Sequence, residues 1–193
     1  MAIYMVYDDA LALMRRFTPS ESLQRHMLAV ETAMRAYARK FGEDEEKWAV
    51  VGVLHDYDYE QAPQTHPERG VQMLREMGYP EDVLAAILGH TDKPEYPRET
   101  QMAKTLFAVD ELVGLITAAV YVRPDKSIAS LELSSLKKKF KDKAFAARVD
   151  REGILRGAEE LGVSLEDHMA FVLEAMKADA QRLGLDGQGT AQP

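Results

Sequence analysis

Cysteine is missing from all 193 residues. Its absence excludes a disulfide framework, thiolate metal ligands and a cysteine nucleophile. Long apolar runs are missing too. The longest, Val113 to Val122, has 10 residues and includes a glycine and a threonine, so it is too short to cross a bilayer. Positive charge is scarce: 24 Lys and Arg stand against 32 Asp and Glu, for a net charge of −8. Such a surface argues against general affinity for nucleic acid, whose phosphates demand a basic face. There is no glycine-rich phosphate loop, no internal repeat and no sustained alternation of apolar and polar residues. The N-terminus, MAIYMVYDDA, lacks the basic start and long apolar stretch of a signal peptide, and the expected location is cytoplasmic.

Apolar residues make up 46% of the chain, ample for a core, and the length suits one domain or one domain with an appendage. The pattern is helical almost throughout. Thr18-Pro19-Ser20-Glu21 reads as a capping box with proline at the first helical position, opening a helix that ends near Gly42. Asp44 caps a second helix that runs into His55-Asp56. A third runs from Thr65 or His66 to Gly78, and a fourth from Pro80 to about Gly89-His90. A longer helix spans about Glu99 to Val120. After Arg123-Pro124 the character changes: 134–143 is basic, Asp150 to Leu161 is a short helix, and Ser164 caps a last helix to about Leu183. The expected organisation is an all-α bundle over 1–123, a helical extension packed on it over 124–183, and a disordered tail at 184–193.

Four of the 5 histidines, with two aspartates, suggest a metal site: His26, the pair His55-Asp56, His66, His90 and Asp110. His26 has Leu23, Val30 and Met34 on its own helical face, so it points inward. Asp110 sits between Phe107 and Val113, where a lone carboxylate costs several kcal/mol by the usual burial arguments. Each residue also has a plainer reading. His26 reads equally as a satisfied core histidine, Asp110 as a buried partner of Lys104 or an arginine. The pair His55-Asp56, His66 and His90 read equally as polar residues at helix ends.

The ordered set His, His-Asp, His, His, Asp resembles the HD-domain superfamily of metal-dependent hydrolases, over roughly Leu23 to Ile116. The resemblance implies that His26, His55-Asp56 and Asp110 bind one divalent ion. His66, in HPERG followed by Leu74, and His90, in ILGHTD, match the members that hold a second ion, with Asp56 bridging. In the better-known branch the pair is followed by Ile-Gly-Lys. Here the loop reads HDYDYE, and a tyrosine stands where that lysine would be. The GYP element and the double histidine of the cyclic-dinucleotide phosphodiesterases are missing, which argues against cyclic di-GMP. HDYDYE, LFAVDELVGLITA, VRPDKSI and KKKFKDKAFAARVDRE are similar to a short branch of predicted HD hydrolases.

The expected function is therefore a metal-dependent phosphohydrolase acting on a small phosphate ester or nucleotide. It would carry one or two divalent ions of iron, manganese, zinc, cobalt or magnesium, with iron or manganese preferred. Asp56 and Asp58 are the candidate catalytic carboxylates, Asp58, like Glu60, by orienting water or accepting its proton, although both also read as plain loop carboxylates. Arg123, Lys126, Lys137 and Lys141 are the candidate contacts to a small anionic substrate, although a basic run reads equally as a solvated helix face. No membrane partner is expected. The alternatives are a di-iron oxygenase built on the same ligands and a catalytically silent nucleotide sensor.

Overall fold

The computed structural model describes residues 6–188. The chain divides into two compact units, Met1–Phe107 and Ala108–Pro193. The division falls at 107/108, inside a helix, rather than at the 123/124 change in composition. All the regular elements among the described residues are helical.

The first unit contains α1 (Tyr7–Phe17), α2 (Glu21–Phe41), α3 (Glu45–Leu54), α4 (Glu68–Glu76) and α5 (Glu81–Gly89), followed by the start of α6 (Gln101–Tyr121). α1 precedes the first helix read from the sequence. Asp8 and Asp9 in its first turn and Arg15 and Arg16 in its last complement the helix dipole. The cap of α2 is Ser20, which accepts from the Leu23 N–H at 3.2 Å. Pro19 thus stands one residue before the cap and is not the first member of the helix. Thr18, expected as the cap, instead donates its hydroxyl to the Tyr57 carbonyl at 3.3 Å. Gly42 closes α2 in the left-handed region at φ 71°. Asp44 caps α3 through the Lys47 N–H, as its position predicts.

α3 is the centre of this unit. It packs on α1, α2 and α5, and α4 packs on α5. Its residues from Trp48 to Leu54 are all buried, the mark of a helix enclosed on every side rather than lying on a surface. Contact with α2 is close because Gly52 has no side chain: a Cβ there would lie 2.7 Å from the Cα of Glu31. Met27, Val30, Met34 and Tyr37 of α2 complete the core with Leu74, Leu84, Ile87 and Leu106.

The second unit continues α6 and adds a short 3-10 turn (Ile128–Ser130), α7 (Leu133–Lys141), α8 (Arg151–Glu160) and α9 (Leu165–Ala178). α9 packs on α7, α8 and the 3-10 turn. Arg151 ties down the loop between α7 and α8 by donating to the carbonyls of Phe140, Asp142 and Phe145, among others. α9 ends at Ala178, short of the expected Leu183. The expected tail begins later than 184. Leu185 is buried, its carbonyl accepts from the Ile128 N–H at 2.7 Å, and Asp186 pairs with Ser127 in an isolated antiparallel bridge. Residues 189–193 of that tail lie outside the described residues. Among the described residues, no helix is long and apolar enough to cross a membrane.

Candidate metal centre

Four element ends of the first unit meet at one place. His26 lies on the second turn of α2, and His55 ends α3. Asp56 follows it in the turn, His66 stands just before α4, and His90 ends α5. Their side chains form two groups of potential ligands that share Asp56. His26, His55 and Asp56 form one; Asp56, His66 and His90 form the other. In each group the ligand atoms lie within 4.8 Å of one another. The carboxylate of Asp56 is divided between the two. Its Oδ1 is 3.2 Å from Nε2 of both His66 and His90, and its Oδ2 is 3.4 Å from Nε2 of His55. The rings pack in series: centroids of His26 and His55 are 5.4 Å apart, those of His55 and His90 5.2 Å, and those of His90 and His66 5.2 Å.

Three of the imidazoles are oriented alike. Nδ1 of His55 donates to the Gly52 carbonyl at 2.8 Å, and Nδ1 of His90 donates to the Ile87 carbonyl. Nδ1 of His66 donates to Oδ1 of Asp58 at 2.7 Å. A carbonyl or carboxylate oxygen can only accept, so the proton of each neutral ring sits on Nδ1. That leaves the Nε2 lone pairs converging on Asp56. Electron-rich atoms packed this way require a cation among them, and outward Nδ1–H donation is the usual support of a metal-bound imidazole. The donor set therefore fits a divalent ion.

The electrostatics of the protein alone express the same demand. Burial favours the neutral acid of Asp56. The charge of His55 and the hydrogen bonds of His55, His66 and His90 prevail, and hold the carboxyl well below its usual range. Burial also works against charge on His66, but its hydrogen bonds to Asp56 and Asp58 push it up to about 9.

Asp58 is placed differently from the water-facing base expected of it. It is 3% exposed, and both carboxylate oxygens are engaged: Oδ1 accepts from His66, and Oδ2 accepts from the Gly70 N–H at 3.0 Å. Tyr57 grips the same glycine from the other side, donating its hydroxyl to the Gly70 carbonyl at 2.8 Å. Tyr59 is half exposed, with its ring edge-on to His66 at 5.4 Å between centroids. Sequence reasoning did not identify the Tyr57–Gly70–Asp58 latch. The available signal was the glycine of HPERG, which has no room for a Cβ.

The remaining expected site residues belong to the second unit. Asp110 is half-buried on α6. Arg123 donates to Ser130 at 2.9 Å and pairs with Asp125 at 3.4 Å. Lys126 donates to the Tyr121 carbonyl, Lys137 pairs with Glu166, and Lys141 is exposed at the end of α7. The fifth histidine, His168, is fully buried and donates Nε2–H to the Ala108 carbonyl at 2.7 Å, so it is a satisfied core residue.

No curated protein and no solved structure matches the chain. The family model of the HD domain matches residues 23–115, from the helix of His26 to the segment of α6 that carries Asp110. With the all-α fold and the His and Asp groups it carries, the segment 23–115 is consistent with an HD domain, of a family whose members are generally metal-dependent hydrolases.

Proposed function

We propose that the protein is a metal-dependent phosphohydrolase acting on a small phosphate ester or nucleotide. The observation that most supports this reading is the divided carboxylate of Asp56, one oxygen toward His55 and the other toward His66 and His90. His26, His55, Asp56 and, from the family resemblance, Asp110 would hold one ion, and Asp56, His66 and His90 a second. Nitrogen and oxygen donors without thiolate suit iron or manganese, and also zinc, cobalt or magnesium. Bound ions supply Lewis-acid polarisation of a phosphoryl oxygen and lower the pKa of water. The protein's part is to keep the imidazoles in the Nδ1–H tautomer, aimed at one carboxylate, before any substrate arrives. Arg123, Lys126, Lys137 and Lys141 are proposed contacts for the anionic substrate, and neutralising Arg123 and Lys126 together should raise KM without abolishing turnover.

The test is a screen of manganese- and iron-loaded protein against nucleoside monophosphates and simple phosphate esters, alongside Asp56→Ala. The expected result is turnover that Asp56→Ala lowers roughly 100-fold or more, with metal content reduced in parallel. Equal turnover in the variant would remove Asp56 from the chemistry. Bound iron, an absorbance that changes with air and no phosphatase activity would move the assignment to a di-iron oxygenase. Tight nucleotide binding without turnover would make the protein a sensor.

A further inference from the structure

We infer that Asp58 is a positioning residue for His66 alone, and that the two ligand groups therefore differ in what supports them. The inference rests on the metal reading above and extends it to a residue outside the ligand set. His55 and His90 direct Nδ1–H to carbonyls within one turn of their own helices, Gly52 and Ile87. Those acceptors come with the helix and need no particular side chain. His66 precedes its helix, so no such carbonyl is used. The acceptor on its Nδ1 is the carboxylate of Asp58, eight residues earlier in the chain, at 2.7 Å.

Three features of the structure hold that carboxylate in place. Its second oxygen accepts from the Gly70 N–H in the first turn of α4, so Asp58 spans from the ligand to the helix that follows it. Tyr57, the next residue back, donates to the carbonyl of the same glycine. The glycine itself is needed for the approach: a Cβ at position 70 would lie 2.5 Å from Cγ and 2.7 Å from Oδ2 of Asp58. With both oxygens committed and 3% exposure, Asp58 has no free face for water. What it does is fix one tautomer and ring orientation of His66, presenting Nε2 to Asp56, and an anionic acceptor makes that nitrogen a stronger donor than a carbonyl does. The Asp56–His66–His90 group depends on Asp58; the His26–His55–Asp56 group does not.

The experiment is Mn2+ binding to the metal-stripped full chain by equilibrium dialysis, comparing wild type, Asp58→Asn, Gly70→Ala and His66→Gln. Asparagine keeps the shape but loses the charge. Alanine at 70 keeps Asp58 in the chain yet displaces its carboxylate, and favours the helix it sits in, so any loss it causes is not helix weakening. The expected result is about two equivalents in wild type. In Asp58→Asn and Gly70→Ala, one equivalent should retain its affinity and the other should weaken by roughly 10- to 100-fold, the usual cost of removing an outer partner of a ligand, while His66→Gln, which removes the ligand itself, should weaken that same equivalent at least as much. If Asp58→Asn fails to fold, Gly70→Ala carries the same expectation. Two equivalents at unchanged affinity in Gly70→Ala and Asp58→Asn would overturn the role of Asp58 and leave the metal reading standing. Equal weakening of both equivalents would reduce Asp58 to general support of the fold. A wild type that binds no Mn2+ would bring down the metal reading itself, and this inference with it.

Discussion

Asp56 gives one oxygen to each ligand group, so no neighbouring residue can substitute for it. The flanking residues have different work. His55 looks back to the Gly52 carbonyl, and Tyr57 and Asp58 reach forward to Gly70, so four consecutive side chains serve three directions. The plain readings of His55, His66 and His90 as polar helix-end residues described their positions correctly. What the sequence could not convey is that three separate helix ends would be brought together, because that depends on packing between distant segments. The phenol of Tyr57 leads to a prediction about pH. Burial, with a contribution from Asp58, raises its pKa, and burial with Asp9 raises that of Tyr79. Because the folded-state values lie above the unfolded value of about 10, this contribution to stability is fully present below that pH and is lost as pH rises through the folded-state values. In an absorbance titration of phenolate, Tyr57 and Tyr79 should be among the later of the 8 tyrosines to ionise, and Tyr57→Phe should remove one late step. A titration with all tyrosines ionising together near pH 10, before any unfolding, would contradict the burial argument.

At the scale of elements, the contact between α2 and α3 sets how far His26 lies from His55. Gly52 is a point of close approach in that contact, and the same residue supplies the carbonyl that fixes the His55 ring. Gly52→Ala should therefore act twice. Forcing a methyl into the crossing costs about 1–3 kcal/mol, as overpacking usually does, and spreads the His26–His55–Asp56 group. The expected outcome is a lower denaturant midpoint together with weaker metal binding. A stable variant with unchanged metal affinity would show that the crossing does not set the site. The helices themselves were largely legible from caps and stops: Asp44 and Ser164 cap where their spacing predicts, and Asp150, read as the start of a helix, is its cap. Thr18 and Ser20 were confused because both are good caps in the same short stretch, and only the partner of Thr18, a carbonyl 39 residues away, separates them. α1 was missed although it is amphipathic and longer than α3, α4 or α5, because its start overlaps MAIYMVYDDA, a stretch weighed only as a signal peptide. The ordered residues 184–188 were missed because glycine-rich composition signals disorder whether or not a buried leucine pins it.

The whole molecule is acidic, yet its first unit gathers imidazoles around one carboxylate. The net charge of −8 concentrates cations near the surface and disfavours anions at long range, so the proposed phosphate substrate would have to be drawn by local charge. The histidines and aspartates could be singled out in the sequence because each residue type is rare in apolar helix, and their reading as a ligand set came from the family resemblance. The support of His66 by Asp58 could not be read there, because a carboxylate three residues after a histidine has no fixed destination in a loop. Metal content is the most direct test of the central claim. Protein purified anaerobically, without chelator or added metal, should contain about two equivalents of iron or manganese per chain by elemental analysis, as two ligand groups sharing a carboxylate require. Protein that holds no metal, and takes up none after incubation with iron and manganese, would contradict the account and leave the four histidines as a hydrogen-bonded part of the core.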